Sequence, residues 1–271
     1  MTDRRTFLTR AGEAFVPTDS SIGPWGPATV SGLTIAGLVG YGAEQVGGDA
    51  DFVGTRLTVD MVRMARMGEL HVTADVVRDG RRLRMVDVTV SQDGRNVAHG
   101  RAIFARRSDA PTGKVWEPVV VMPPPPTPDQ TPAFGPKPYF GPDARPARDF
   151  EAWRDVTNEK YVWYDCDARL VEDEPMSAFV RAAAIADVAN PLTNWGSEGM
   201  QFVNSDVTLM LSRLPEGTML GMAARDRQEA GGVSVGSAVM FDATGPVGLV
   251  TVTALASMVE MVPRHGPAAT G

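Results

Sequence analysis

Asp187 closes the apolar run Ala178–Ala186 (AFVRAAAIA), and its spacing is what makes it chemically interesting. On a helix, Val180, Ala183, Ala184 and Asp187 fall on one stripe, so the carboxylate shares the face that packs inward. An unpaired carboxylate there is costly. The position therefore either polarises a water or ligand at the edge of an apolar pocket, or is a structural aspartate held by a nearby donor. Thr208, in the alternating run Ser205–Arg213, carries a hydroxyl bracketed by Asn204 and Asp206. The same threonine also reads as an ordinary strand former. Ser31 precedes Gly32 where a helix-like run begins, a place at which outward-pointing N–H groups and a missing side chain let a carbonyl or phosphate approach. The pair reads equally well as a capping serine and a packing glycine. Trp25 in GPWGP, and Asn190 and Trp195 in NPLTNWG, are candidates for contacting a bound ligand. Loop anchoring is the alternative reading for the two tryptophans.

Other chemistries have less support. Cys166 is the only cysteine, which excludes an intrachain disulfide and a thiolate metal cluster. His71, His99 and His265 show neither HExxH nor HxxxH spacing, and no GxSxG elbow is present, so neither a metal site nor a serine triad is expected. No cofactor is implied. The net charge of −7 argues against a nucleic-acid partner, and the arginines at 78, 81, 82, 84, 106 and 107 read as a solvated basic face or an anion-holding patch. No uninterrupted apolar run is long enough to span a membrane, and MTDRRTFLTR lacks the core of a secretory signal, so a cytoplasmic, non-membrane protein is expected. The methionines, fourteen in all, are suited to core filling or to an adaptable apolar tunnel.

The elements that must position these residues occur in two similar sets. In the first half, Thr29–Val46 is predicted as a helix, with Leu33, Ala36, Gly37 and Gly40 or Tyr41 on one face. Strands are predicted at Thr55–Arg63, Glu69–Arg78, Arg82–Ser91 and Asn96–Ala105, with Asp79-Gly80 and Asp93-Gly94 as hairpin turns. In the second half, Ser177 caps a helix from Ala178 to about Asn190, which Asn190-Pro191 is expected to end. Strands follow at Ser205–Arg213, Thr218–Arg227, Gly232–Asp242 and Val247–Ser257. An offset of 150 takes Ile35-Ala36 to Ile185-Ala186, Leu57-Thr58-Val59 to Val207-Thr208-Leu209, and Arg63 to Arg213, which points to a duplication. Between the halves the chain is proline-dense from Pro111 to Pro146. This stretch is expected to be an extended surface linker, pinned by Trp116, Phe134, Tyr139 and Phe140.

Three sets of strings carry a family resemblance. They are RLTVDMVR with GELHVTADVVRDGRRLRMVDVTVSQDGRNVAHGRAIFARR, SAFVRAAAIADVANPL, and QFVNSDVTLMLSRLPEGTMLGMAARD with GGVSVGSAVMFDATGPVG. Together they resemble the acyl-CoA thioesterase II (TesB-like) family across nearly the whole chain outside the linker and the C-terminal tail. The resemblance implies an α+β double hot-dog, each half a long helix wrapped by a curved antiparallel sheet. The halves are expected at 1–108 and 151–271, with the linker at 109–150. It also implies hydrolysis of an acyl-CoA or related thioester, with Asp187 matching the family's water-activating aspartate and Thr208 its hydroxyl residue. The family's glutamine near the last strand is replaced in Thr251-Val252-Thr253, which puts Thr253 at that position with a shorter side chain and a single donor. The family's histidine or aromatic before paired glycines is reduced to Ser31-Gly32-Leu33. These departures leave a second reading open, a repurposed double hot-dog that binds an apolar small molecule or acyl group without hydrolysing it. Two halves in one chain can pair their sheet edges internally, so a homo-oligomer is optional.

Overall fold

The computed structural model describes residues 5–127 and 135–257; Phe134 and His265 lie outside the described residues. The first half contains β1 (Thr6–Ala11), β2 (Ala14–Pro17), α1 (Gly32–Gly47), β3 (Phe52–Met61), β4 (His71–Asp79), β5 (Leu83–Gln92) and β6 (Arg95–Arg106). Next come β7 (Pro136–Phe140), β8 (Arg145–Pro146), β9 (Lys160–Asp165) and β10 (Arg169–Val171). The remainder is α2 (Ala178–Ala186), α3 (Ala189–Asn194), β11 (Trp195–Gly196), β12 (Gly199–Met200), β13 (Phe202–Asn204), β14 (Asp206–Leu211), β15 (Met219–Ala230), β16 (Val233–Asp242) and β17 (Gly245–Ala256).

One sheet of 12 strands runs β4-β5-β6-β3-β14-β17-β16-β15-β9-β7-β8, with β13 also paired to β17. The eight strands expected from alternation lie within a few residues of their predicted bounds. Strict alternation of this kind marks a sheet with one face against a core and one toward solvent. The β5–β6 hairpin turns at Asp93 and Gly94, both at positive φ, as a tight hairpin of right-handed strands requires.

The halves join edge to edge through β3 and β14, where Leu57 pairs with Leu209, Thr58 with Thr208 and Val59 with Val207. These are the residues that the 150-residue offset equates, so they lie symmetrically about the junction, as in an isologous contact between two copies.

The helices lie on one face of this sheet and antiparallel to each other. Gly37 of α1 faces Ala184 of α2, and Gly40 faces Ala183, a run of small residues that lets the two backbones approach closely. Ile35, Leu38 and Val39 of α1 and Phe179, Val180 and Ile185 of α2 are buried with Leu57, Val59, Val86, Val88, Val207, Leu209, Val250 and Val252 from the strands in one core. Each helix begins at a capping serine. Ser31 Oγ accepts from the Thr34 N–H at 3.2 Å, and Ser177 Oγ accepts from the Val180 N–H at 3.1 Å. The antiparallel arrangement brings the amino end of each helix against the last turn of the other.

The second helix differs from expectation. It stops at Ala186, and the chain starts a short new helix at Ala189 that contains Pro191. Proline is tolerated in a helix's first turn, where no partner for its N–H would exist, so Asn190-Pro191 opens α3 rather than ending α2. The proline-rich segment is also not wholly external. Its later part supplies β7 near the sheet edge, where missing donors are tolerated, and Tyr139 is buried there. Tyr139, Tyr161, Trp163 and Phe241 form a small second core with Ala223 and Ala144, and Trp163 Nε1 donates to the Pro123 carbonyl at 3.1 Å. Trp116, in contrast, is 82% exposed.

Within the basic stretch, Arg84 pairs with Asp49 and Asp79, and both Arg84 and Arg106 lie over the Phe52 ring, so these two are engaged locally.

Candidate active site

Asp187 is the residue at which α2 ends, and it is held from three sides. The first is α1 of the other half. Gly32 lies so close that a Cβ built there would stand 2.4 Å from Asp187 Oδ1 and 2.6 Å from Oδ2, and the Leu33 N–H donates to the carboxylate. The carboxylate therefore caps the positive amino end of a helix more than 150 positions away in sequence. The second is Asn204 of β13, whose Nδ2 donates to Asp187 Oδ1 at 3.0 Å. The third is the protein interior, which withdraws solvent and includes Tyr164 of β9, whose phenol is shifted upward by its burial, the Cys166 thiol and the Asp187 charge. Burial pushes the Asp187 carboxyl up to about 6, against the opposing hydrogen bonds from Asn204 and Leu33. The residue as a whole keeps some exposed surface, while its carboxylate lies within the interior at the meeting of the two helix ends.

Thr208 and Thr253 do not join it. In β14, Val207, Leu209 and Leu211 are buried toward the helices and Thr208 points to the other face, opposite Thr58 and Thr251. In β17, Val252 and Ala254 are buried and Thr253 alternates with them. The physical reason is a one-residue register shift on β17 between the pairs Asn204↔Ala254 and Thr208↔Thr251, taken up at Ser205. Such a bulge exchanges the faces of the sheet. It turns Asn204, opposite the buried Ala254, toward the helices and leaves Thr208 outside.

Asn204 belongs to a chain of amides. Its Oδ1 accepts from Asn190 Nδ2 at 3.1 Å, and Asn190 Oδ1 accepts from Asn194 Nδ2 at 2.9 Å. Asn194 Oδ1 in turn accepts from Arg227 Nε at 3.0 Å and from Ser234 Oγ at 2.8 Å. Asn190, expected to contact ligand, is 1% exposed and reaches Asp187 only through Asn204. Asn194 and Ser234 carried no sequence signal beyond the spacing of Asn190 and Asn194, which places both on one face of α3.

Of the remaining candidates, Ser31 and Gly32 lie at this centre, and the two tryptophans are held by contacts of their own. Ser31 is the cap of α1, its Oγ paired with Thr34 Oγ1 at 2.8 Å, and Gly32 touches Asp187 directly. Trp25 packs half-buried against the main core. Trp195 stacks beside Phe150 with ring centroids 5.3 Å apart, its carbonyl accepts from Lys160 Nζ, and its indole N–H is buried without a partner.

The opposite pair of helix ends carries different chemistry. Glu44, near the end of α1, meets the capping Ser177 of α2, and Tyr41 and Arg10 bind Glu174. A cavity of about 70 Å³ lies there, lined by Tyr41, Glu44, Glu174, Ser177 and Val180; it is not at Asp187. Among the described residues no cluster of metal-ligating side chains occurs, and no helix is long and apolar enough to cross a membrane.

A sheet continuous across two halves, two antiparallel helices against it, and a shielded carboxylate where one helix end meets the other's start define a hot-dog protein of the double type. Residues 19–105 match the acyl-CoA thioesterase N-terminal domain and residues 118–256 the acyl-CoA thioesterase C-terminal domain. The chain belongs to the TesB-like acyl-CoA thioesterase family.

Solved structures agree on the fold. A TesB protein of Mycobacterium avium subsp. paratuberculosis is similar at TM-score 0.66 and 17% identity, covering 92% of this chain and 96% of that one. The acyl-CoA thioesterase II TesB2 of Mycobacterium marinum is similar at TM-score 0.63 and 15% identity, covering 96% and 97%. A hot-dog-fold protein of Alicyclobacillus acidocaldarius is similar at TM-score 0.65 and 18% identity, covering 93% and 96%. No curated protein sequence matches the chain.

Proposed function

We propose that this protein is a cytoplasmic hydrolase of acyl-CoA or a closely related acyl thioester, with Asp187 as the general base. The observation that carries the reading is the Asp187 carboxylate itself, held between the α1 amino end and Asn204 and pushed by burial up to about 6. A base with a pKa just below neutrality is ionised at working pH yet basic enough to accept a proton in the transition state. Asp187 takes a proton from water as the water oxygen bonds to the thioester carbonyl carbon. The resulting oxyanion forms beside the α1 amino end, where backbone dipoles favour negative charge. Collapse of the intermediate breaks the C–S bond, and the leaving thiolate recovers the proton from Asp187. The products are a carboxylic acid and a free thiol. Asn204 keeps the carboxylate oriented throughout, in place of Thr208 and the glutamine position at Thr253. The two halves, at 1–108 and 151–271, are read as a helix wrapped by its own part of the sheet, with 109–150 as the connection.

The test uses purified wild-type and Asp187→Asn proteins, acyl-CoAs of graded chain length and a thiol-detecting reagent. Release of thiol by the wild type, and a loss of at least about a hundredfold in kcat/KM in the variant, is expected. Equal turnover in the folded variant would overturn the assignment of Asp187. Binding without release by the wild type would overturn hydrolysis in favour of acyl binding.

A further inference from the structure

The path from Asp187 through Asn204, Asn190 and Asn194 to Arg227 and Ser234 has a direction. An asparagine amide has a donor end and an acceptor end of nearly the same shape, and its neighbours decide which way it turns. Here each link runs from donor to acceptor the same way: Arg227 Nε and Ser234 Oγ to Asn194 Oδ1, Asn194 Nδ2 to Asn190 Oδ1, Asn190 Nδ2 to Asn204 Oδ1, and Asn204 Nδ2 to Asp187 Oδ1. The two ends pin it, and two backbone carbonyls hold it in the same sense, that of Phe202 accepting from Asn190 Nδ2 at 3.2 Å and that of Asp206 from Asn204 Nδ2 at 3.4 Å. A guanidinium has no acceptor, and an ionised carboxylate has no donor. Turning any one amide would set oxygen against oxygen at one neighbour and N–H against N–H at the other. Asn190 and Asn194 are also 1% and 4% exposed, so water cannot repair a broken link.

We propose that Asn194, oriented by Arg227 and Ser234, is a positioning residue that acts through Asn190 to keep the Asn204 N–H turned toward the Asp187 carboxylate. The inference rests on the reading of Asp187 as general base and extends the site to β15 and β16. Arg227 links this interior to the surface. It is exposed, and its guanidinium lies over the Phe202 ring at 5.2 Å, two residues before Asn204. The titratable group that feels the Asp187 charge from a neighbouring element is Tyr164 of β9, and Lys160 of the same strand stands near Arg227 at the far end. Neither belongs to the path.

The decisive variant is Asn194→Asp. It is isosteric and still accepts from Arg227 and Ser234, but it cannot donate to Asn190. Asn190 and then Asn204 are expected to turn, giving up their bonds to the Phe202 and Asp206 carbonyls and presenting Asn204 Oδ1 to the carboxylate. The apparent pKa governing kcat/KM then rises by about one unit and kcat falls about tenfold or more, with KM little changed, because the loss is of a hydrogen bond to a charged group. An unchanged pH profile and kcat in the folded variant would overturn the proposal. The double variant Arg227→Met/Ser234→Ala removes both orienting donors without adding buried charge and should shift the profile in the same sense. If Asn194→Asp does not fold, a wild-type profile in that double variant overturns the proposal, and Arg227→Lys with Ser234 kept, which retains donors to Asn194 Oδ1, should keep the wild-type profile. Carboxyl NMR of labelled aspartate reads the Asp187 titration independently of turnover. It should move upward in Asn194→Asp even if Asp187→Asn shows the base assignment to be wrong, so the two failures are distinguishable.

Discussion

Adding one methyl group at Gly32 tests whether the helix-end cradle positions the base. A Cβ at this residue would lie 2.4 Å from Asp187 Oδ1, 2.6 Å from Oδ2 and 2.7 Å from Cγ, where ordinary contact begins at 3.4 Å. The backbone at Gly32 is not at positive φ, so alanine fits the helix and the carboxylate is what must yield, by about 1 Å. That retreat strains the Leu33 hydrogen bond and moves Asp187 off the axis of α1. A displacement of about 1 Å in a catalytic group can cost on the order of a hundredfold in rate. Stability should fall as well, because Gly32 is the first residue of α1, where the helix-interior advantage of alanine does not apply, and the displaced carboxylate gives up part of a charged hydrogen bond worth about 2 kcal/mol. Gly32→Ala is therefore expected to stay folded with a somewhat lower melting temperature while kcat/KM for acyl-CoA hydrolysis falls about a hundredfold. Thermal melts and the thiol-release assay on the same preparation separate the two effects. Activity within about threefold of wild type, with the variant folded, would refute the argument that this contact sets the position of the base.

Three further outcomes follow from the same geometry. Because the folded-state carboxyl of Asp187 is raised from 3.8 to about 6, kcat/KM should fall as pH drops through about 6, when the base becomes protonated. The same shift means that ionised Asp187 opposes folding: its favourable contribution is complete below the unfolded value near 4 and lost as pH rises through about 6. Asp187→Asn should thus be inactive and lose this pH dependence, its stability changing less than that of the wild type between pH 4 and pH 7 in denaturant titrations. Thr208→Val should keep kcat/KM within about twofold, since the side chain faces away from Asp187 and valine is an equally good strand former; a loss beyond about tenfold in steady-state assays would contradict the placement of this strand.

Much of the framework is legible from local pattern. Alternation places eight strands, Ser31 and Ser177 announce the helix starts, and an aspartate on an apolar stripe marks Asp187 as exceptional. These signals are readable because strand and helix periods, and the need of a helix end for a cap, depend on residues only a few positions apart. Thr208 and Thr253 could not be placed in the same way. A single extra residue at Ser205 changes which face of the sheet each position occupies, and only the pairing with β17 reveals it. The symmetry of Thr58 and Thr208 was written in the 150-residue offset, but its consequence, that the pair straddles the junction on the outer face, required the sheet to be assembled.

From residue types alone, then, this chain determines two similar α+β halves and one carboxylate that demands an explanation. Which groups meet that carboxylate was decided by tertiary structure. Gly32 and Leu33 come from the other half, Asn204 arrives through a bulge, and Asn190, Asn194, Arg227 and Ser234 come from three separate elements. Their individual propensities are those of ordinary polar residues. Packing two antiparallel helices against one continuous sheet makes them neighbours, and burial then turns their hydrogen bonds into a directed path, because no water remains to take the place of a missing partner.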